Sequence, residues 1–408
     1  MRILMLTPYL PYPLLSGGQV RTYNLLKQIS KEHEVTLFAL IKKKEELQYI
    51  KELEPYCHKI KLFKRTAKPW HPRNILLAGF TPFPFVVTRN LVMSLKQEIA
   101  KELEEIKHDL IHVETFYMMP NIPKTAVPTI LVEQTIEYLG YEDFAAKIRR
   151  RWPLLRPLLN LDIAKIRYWE KHYWRRCDRL VTVSEDDRDF IRQVEPSIKN
   201  IDVVSNGVDI NFFSQVKKKL SSQPSLLFVG TFHWLPNVEA VEFLVEKIWP
   251  LIKQAVPNIN LRIVGPSPTK KIIDYEKQDK QITVTGRVPD IREEYAKANI
   301  LLAPVFSGKG TRYKVLEAMA SETPVVGTSI ALEGIQAEPN KHFLQGDSAE
   351  EMAKVAIELL GDEERQKRLG KSGKEFVSRR FSWEIIAQDL LTVYQKTTAK
   401  NRDQNVKK

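Results

Sequence analysis

Short apolar runs alternate with helix-length amphipathic stretches along most of the chain. Arg2–Thr7, Val35–Leu40, Leu110–Val113, Ile130–Val132 and Arg179–Val183 read as strands, with helical spacing over Val20–Ile29, Glu45–Leu53 and Glu185–Gln193. Continuous apolar runs mark strands covered on both faces, and strand–helix alternation builds a parallel sheet. The pattern breaks at Val203–Asp209, and the polar stretch Lys217–Pro224 reads as a linker. A second series follows: Leu226–Val229, a helix near Val238–Trp249, Leu261–Val264, Ile282–Thr285, Ile300–Ala303, a helix at Arg312, and Pro324–Val326. Helices at Ala349–Leu360 and Trp383–Thr397 close the chain. The expected organisation is an N-terminal Rossmann-like domain over 1–207, a C-terminal one over 208–381, a helix over 382–398 and a disordered tail over 399–408.

Charge narrows the choice of partner. The 408 residues carry 63 Lys and Arg against 50 Asp and Glu, a net +13, which suggests nucleic acid, a phosphorylated ligand or an acidic membrane surface. No RRM, KH, helix-turn-helix or zinc pattern supports nucleic acid. Cys57 and Cys177 lie far apart without metal spacing, as expected of a reducing compartment. No run reaches the length of a membrane span, and the first apolar stretch is too short for a signal peptide. A cytoplasmic protein is expected, soluble or held on the inner face of a membrane.

Chemistry concentrates in two places. Gly308-Lys-Gly-Thr-Arg-Tyr-Lys314 opens the helix at Arg312, with Thr311 as the expected N-cap. A helix N-terminus favours acidic neighbours, yet Lys309, Arg312 and Lys314 crowd this one. Free N–H groups beside three cations suit a docked anion, phosphate above all. Glu317, one turn on, suits a sugar hydroxyl. In the first loop, Gly17 and Gly18 permit close backbone approach, and Arg21 follows in the first helical turn. That loop is not the GxGxxG dinucleotide fingerprint, which counts against a nicotinamide enzyme.

The Gly17-Gly18 loop, Val183-Ser-Glu185, Asn206-Gly-Val-Asp209, Phe228-Val-Gly230, Ile263-Val-Gly265 and Lys314-Val-Leu-Glu-Ala-Met-Ala320 occur in an order that resembles the retaining glycosyltransferases of family 4. The resemblance runs over nearly the whole chain. Pro236-Asn237, Trp249-Pro250 and Gly308-x-Gly-Thr-Arg312 resemble a branch found in exopolysaccharide and lipid-linked glycan clusters. It implies the GT-B fold: two facing Rossmann-like α/β domains with a cleft between them, the final helix packing back on the N-terminal domain. It also implies a UDP- or GDP-sugar donor, a glycan or polyprenyl-linked acceptor, and no cofactor or metal. On that resemblance Glu317 bonds the ribose, and Arg312 and Lys314 neutralise the diphosphate with the N–H groups of Gly310 and Thr311. Gly17, Gly18, Gly230 and Gly265 approach the donor, and Val288 borders the base.

The pattern departs from the family at three points. Family members often carry an acid where this chain has Lys309, which is available to a phosphate or an acidic sugar. A basic residue often follows the first glycine of the C-terminal domain; Thr231 follows Gly230 here, and Arg312 is expected to supply the charge. A histidine often lies near the sugar. In Asp109–Glu114, alternation turns His112 and Glu114 the same way, so either is a candidate to reach the ligand. Glu133 and Glu137 are further candidates for acceptor contact.

Residues 147–179 mix cations with apolar residues, including Arg149, Arg150, Arg151, Trp152, Leu154, Leu158, Trp169 and Trp174. This suits an anionic membrane surface or a lipid diphosphate; it suits equally a helix whose apolar stripe is core and whose arginines are wet. Lys59–Arg73 adds a second basic stretch. The leading reading is a glycosyltransferase. The alternatives are a nucleic-acid-binding protein and a GT-B epimerase or phosphorylase, the last needing a pyridoxal-binding lysine that no residue marks.

Overall fold

The computed structural model describes residues 1–66, 68, 71–151, 156–306 and 312–406. They form two compact units, Met1–Ser205 with Ile386–Lys408, and Asn206–Ile385. The last helix is therefore shared in sequence but belongs to unit 1 from Ile386 onward.

Unit 1 holds seven strands: β1 (Arg2–Thr7), β2 (Glu34–Ile41), β3 (Lys59–Lys64), β4 (Leu110–Glu114), β5 (Thr129–Glu133), β6 (Arg179–Thr182) and β7 (Ile201–Val203). All pairs are parallel, in the order β3-β2-β1-β4-β5-β6-β7. Its helices are α1 (Gly17–Ile29), α2 (Pro72–Phe80), α3 (Phe85–Asn90), α4 (Met93–Glu105), α5 (Glu137–Arg151), α6 (Arg156–Arg176) and α7 (Glu185–Val194). Leu4, Leu6, Phe38, Ile111, Val113, Leu131 and Leu180 form the buried sheet surface, joined by Leu95 and Ile99 of α4 and Trp174 of α6.

Unit 2 opens with α8 (Ile210–Phe213) and adds β8 (Ser225–Val229), α9 (Leu235–Phe243), α10 (Trp249–Ala255), β9 (Asn260–Val264), α11 (Lys270–Gln278), β10 (Ile282–Gly286), α12 (Arg292–Lys297), β11 (Ile300–Ala303), α13 (Tyr313–Ala320), β12 (Val325–Gly327), β13 (Leu344–Gln345), α14 (Ala349–Leu360) and α15 (Glu363–Arg380). The sheet order is β10-β9-β8-β11-β12-β13, again all parallel. α16 (Trp383–Val406) ends the chain, and its helical backbone runs through most of the polar stretch expected to be a disordered tail.

In each sheet the strand order reverses once, between β1 and β4 and between β8 and β11. The connections leaving the strands on either side of such a point diverge, and the crevice they leave beyond the carboxyl ends is the ligand position of this architecture.

Candidate active site

The unit 2 reversal is lined by backbone that excludes side chains. Gly230 directly follows β8, and a Cβ there would lie 2.8 Å from the Asn237 amide carbon. Gly265 directly follows β9 at φ +149°, and a Cβ would sit 1.7 Å from the Gly230 carbonyl oxygen. No other residue fits there. Gly230 N–H donates to Val264 O at 3.0 Å, and Gly265 N–H to Gly286 O at 2.9 Å, so the three strand ends are tied edge to edge.

α13 delivers the charge. Its first residue is Tyr313 and its N-cap is Arg312, with no side-chain cap bond. Thr311, expected as the cap, lies outside the described residues, as do Lys309 and Gly310. Lys314 is buried at 8% exposure. Its ammonium donates to Asn237 Oδ1 at 2.8 Å and lies 4.1 Å from the Phe228 ring centre. Asn237 in turn donates to Thr231 O at 2.9 Å. Lys314 is thus held by a neutral amide and a ring face, and no carboxylate forms an ion pair with it among the described residues. Burial, and next the charge of Arg312, push it down to about 7, with Glu317 opposing. Burial also lowers Arg312, opposed by Glu333.

Glu317 is half-buried, and its Oε2 accepts from the Tyr295 hydroxyl at 2.8 Å. Burial raises its pKa, against the pull of Tyr295 and Lys314. Val288 packs partly into the unit 2 core just beyond β10, on the same strand-end side of the sheet. Asn237 and Tyr295 are the partners that fix the two expected site residues. Asn237 stands out in sequence only as part of Pro236-Asn237; Tyr295 carries no local signal.

The unit 1 reversal is built differently. Gly17 and Gly18 are the first turn of α1 rather than a loop before it, because Ser16 caps the helix by accepting from Gln19 N–H. A Cβ on Gly18 would lie 2.6 Å from Gln134 Oε1 and 2.7 Å from the Tyr9 hydroxyl, so a side chain here would push these two side-chain ends aside. Arg21, expected at an anion, is buried at 1% exposure and donates from Nη1 to Ser205 O at 2.7 Å.

His112 and Glu114 do share a face, but both are enclosed at 1% exposure rather than open to ligand. His112 Nε2 meets Glu114 Oε1 at 3.0 Å, and Nδ1 meets the Tyr394 hydroxyl at 2.6 Å. Gln134 Nε2 donates to Glu114 Oε2 at 2.6 Å and to the Tyr9 hydroxyl at 2.7 Å. Burial alone would raise Glu114; the His112 hydrogen bond and charge, then Arg21, outweigh it and leave the carboxyl below its ordinary range. His112, Glu114, Gln134, Tyr9 and Tyr394 all belong to unit 1.

The remaining expected residues divide. Glu133 lies in the core and accepts from Trp174 Nε1 at 2.9 Å, with burial and then Glu170 raising its pKa. Glu137 opens α5, where Glu170 accepts the N–H groups of Glu137 and Tyr138 at 2.7 and 3.0 Å; burial pushes Glu137 up to about 7. Within residues 147–179, Ile166 and Trp174 are core and Trp169 Nε1 donates to Pro82 O at 2.8 Å, whereas Leu158 and Leu161 are exposed. Arg149, Arg150 and Arg151 fall on the last turn of α5, whose backbone alone is described; Trp152 lies outside the described residues. No described helix is long and apolar enough to cross a membrane.

Residues 15–212 match the family model "Glycosyltransferase Family 4" and residues 223–362 match "Glycosyl transferases group 1". An uncharacterized glycosyltransferase of Methanocaldococcus jannaschii is 26% identical over 58% of this chain and 65% of its own length. The chain thus spans just under two thirds of that relative. A 44.6 kDa protein from the cps region of Klebsiella pneumoniae is 22% identical over 82% of this chain and 84% of its own. Among solved structures, Anabaena HepE in complex with UDP-glucose superposes with TM-score 0.64 at 15% identity, covering 97% of this chain and 100% of that one. The superposition shows the GT-B fold, and the two domain models, matched in chain order, make both halves of the chain similar to glycosyltransferases.

Proposed function

We propose that the chain moves a sugar from a nucleoside-diphosphate sugar, bound by unit 2, to a glycan or lipid-linked acceptor bound by unit 1. The observation that carries this reading is Lys314, a buried cation held by Asn237 beside the Gly230–Gly265 strand ends, with no carboxylate ion-paired to it among the described residues. As the sugar–phosphate bond breaks, the departing nucleoside diphosphate gains negative charge. A preorganised ammonium in a water-poor site stabilises that charge without reorganising. Arg312, at the same helix start, adds to the field, and the α13 dipole points the same way. Glu317, oriented by Tyr295, is placed to accept a ribose hydroxyl. Val288 and its loop border the base. In this reading the chain's own cations do the neutralising, with no metal or cofactor, and configuration at the sugar is retained.

The Klebsiella relative's cps origin supports a role in surface polysaccharide synthesis, and the HepE complex supports UDP as the nucleotide, with GDP the alternative. A net charge of +13 supports a position on the inner, anionic face of a membrane; the lack of an RRM, KH, helix-turn-helix or zinc pattern counts against a nucleic-acid partner. Thermal shift tests the reading: UDP or GDP raises the melting temperature and short DNA or RNA does not. Stabilisation by nucleic acid alone overturns it. An epimerase would release free UDP without any acceptor, so acceptor-dependent release separates the two.

A further inference from the structure

Most basic side chains of unit 1 with an ion partner meet it directly. Arg175 grips Glu195 at 2.8 and 2.7 Å, Arg179 and Lys396 share Asp202, and Lys59 meets Glu102. One region breaks the rule. Beyond the carboxyl end of β3 lies a cavity of about 600 Å³ lined by Lys64, Arg65, Lys68, Arg73 and Arg89 together with His71. No carboxylate is among its described lining residues.

We propose that this pocket binds a phosphate or diphosphate group, the anionic part of the acceptor. Calling the ligand the acceptor rests on the transfer reading above; the anion site itself does not.

Three observations support it. First, two of the guanidiniums, those of Arg65 and Arg89, are half-buried and incompletely bonded, whereas Arg73 is exposed. Arg65 donates from Nη1 to Asn90 Oδ1 at 2.7 Å, but its Nε and that of Arg89 are buried without an acceptor among the described residues. A buried donor left unmade is costly, and one bound phosphate can accept several. Second, the cations repel one another. Burial, and then Arg89, push Arg65 down to about 10, where it is still charged at neutral pH. Burial, Arg65 and Arg89 lower Lys42 on the adjacent strand end. The nearby acid, Glu46, is committed: its Oε1 accepts the backbone N–H groups of Lys42 and Lys43, both at 2.8 Å. Third, the pocket opens on the carboxyl-end side of the sheet. β2 and β3 both end here, at the sheet edge two strands from the reversal between β1 and β4, on the same carboxyl-end side of the sheet as that ligand position. The volume also falls within the roughly 300–1,000 Å³ of small-molecule sites. α2, whose first turn supplies Arg73, carries Ile75, Leu76 and Phe80 exposed to solvent. That pairing of cations with an apolar helix suits a phosphate borne on a lipid as well as one on a soluble glycan.

The test uses the full chain carrying Lys314→Met, which suppresses diphosphate binding in unit 2, with Arg65→Gln or Arg89→Gln added. Inorganic pyrophosphate is titrated calorimetrically. Each added substitution should weaken binding about tenfold while the melting temperature holds. Unchanged affinity in both folded variants overturns the site. UDP and GDP binding by the otherwise native chain should survive Arg89→Gln. Failure of the native chain to bind either nucleotide would sink the donor reading and leave the pyrophosphate result standing. Co-flotation with phosphatidylcholine vesicles, with and without phosphatidic acid, identifies the source. Flotation that needs phosphatidic acid and is lost in Arg89→Gln supports a lipid phosphate; pyrophosphate binding without flotation supports a soluble one.

Discussion

The two sheets reverse their strand order in the same way, yet the two reversal points hold opposite chemistry. In unit 1 the point is filled by a closed polar network, in which His112, Glu114, Gln134, Tyr9 and Tyr394 answer one another. In unit 2 glycine backbone leaves the point uncluttered, and the charged group at its edge, Lys314, leans on an amide. A buried network whose members satisfy each other rigidifies a fold. A buried cation whose nearest bond is to a neutral group is left with attraction to spend on a ligand. Perturbed titration alone does not separate the two, since Glu114 and Lys314 are both shifted; the identity of their partners does.

That contrast can be broken by substitution. Lys314→Met should reduce sugar transfer by about 10²–10³-fold, the scale of removing one preorganised charge-stabilising group, with little loss of thermal stability. Donor turnover and melting temperature, read together, check it; a fall in stability that accounts for the lost activity would make Lys314 structural. His112→Ala should do the reverse. It leaves Glu114 buried beside a vacated partner and should cost about 2–3 kcal/mol of stability in chemical denaturation, while the Kd for UDP or GDP stays put.

A third expectation concerns pH. In the empty site Lys314 titrates near 7, well below an exposed lysine, and a bound diphosphate favours its protonated form. Complex formation therefore takes up a proton above pH 7, and affinity should fall as pH rises through that value, by up to about tenfold per unit. Calorimetry in buffers of different ionisation enthalpy reads the proton directly, and the slope should vanish in Lys314→Met. The smallest effect belongs to Tyr394→Phe, which removes the 2.6 Å bond to His112 and should cost about 1 kcal/mol of stability with nucleotide affinity unchanged.

Much of the fold was legible because parallel strands buried on both faces are written as plain apolar runs. β1 and β11 fall where the pattern places them, and the others mentioned differ by a residue or so. The edge strand β3 was not. Lys59, Lys61 and Lys64 interrupt it, charged as edge strands often are, and the segment reads as a basic stretch. The helix expected over Val238–Trp249 is two helices joined by a π turn at Leu244–Ile248 ahead of Pro250.

Of the site, residue types were legible and partners were not. Cations crowding a helix start pointed to Arg312 and Lys314, but Asn237 is 77 residues from Lys314. The acceptor of Arg21 was equally out of reach: nothing near it in sequence reveals Ser205 O, 184 residues on. His112 and Glu114 share a face as alternation requires, yet only the helix returning with Tyr394 shows that face to be enclosed. The basic pocket joins Arg65 to Arg89 from separate segments, so neither stretch announces it alone.

The central claim is that the unit 2 reversal point receives the nucleoside diphosphate. Diffraction from crystals soaked with UDP or GDP tests it most directly. The account requires diphosphate oxygens hydrogen-bonded to Lys314 Nζ beside Gly230 and Gly265. Well-ordered nucleotide bound anywhere else, with Lys314 still on Asn237 alone, would contradict it.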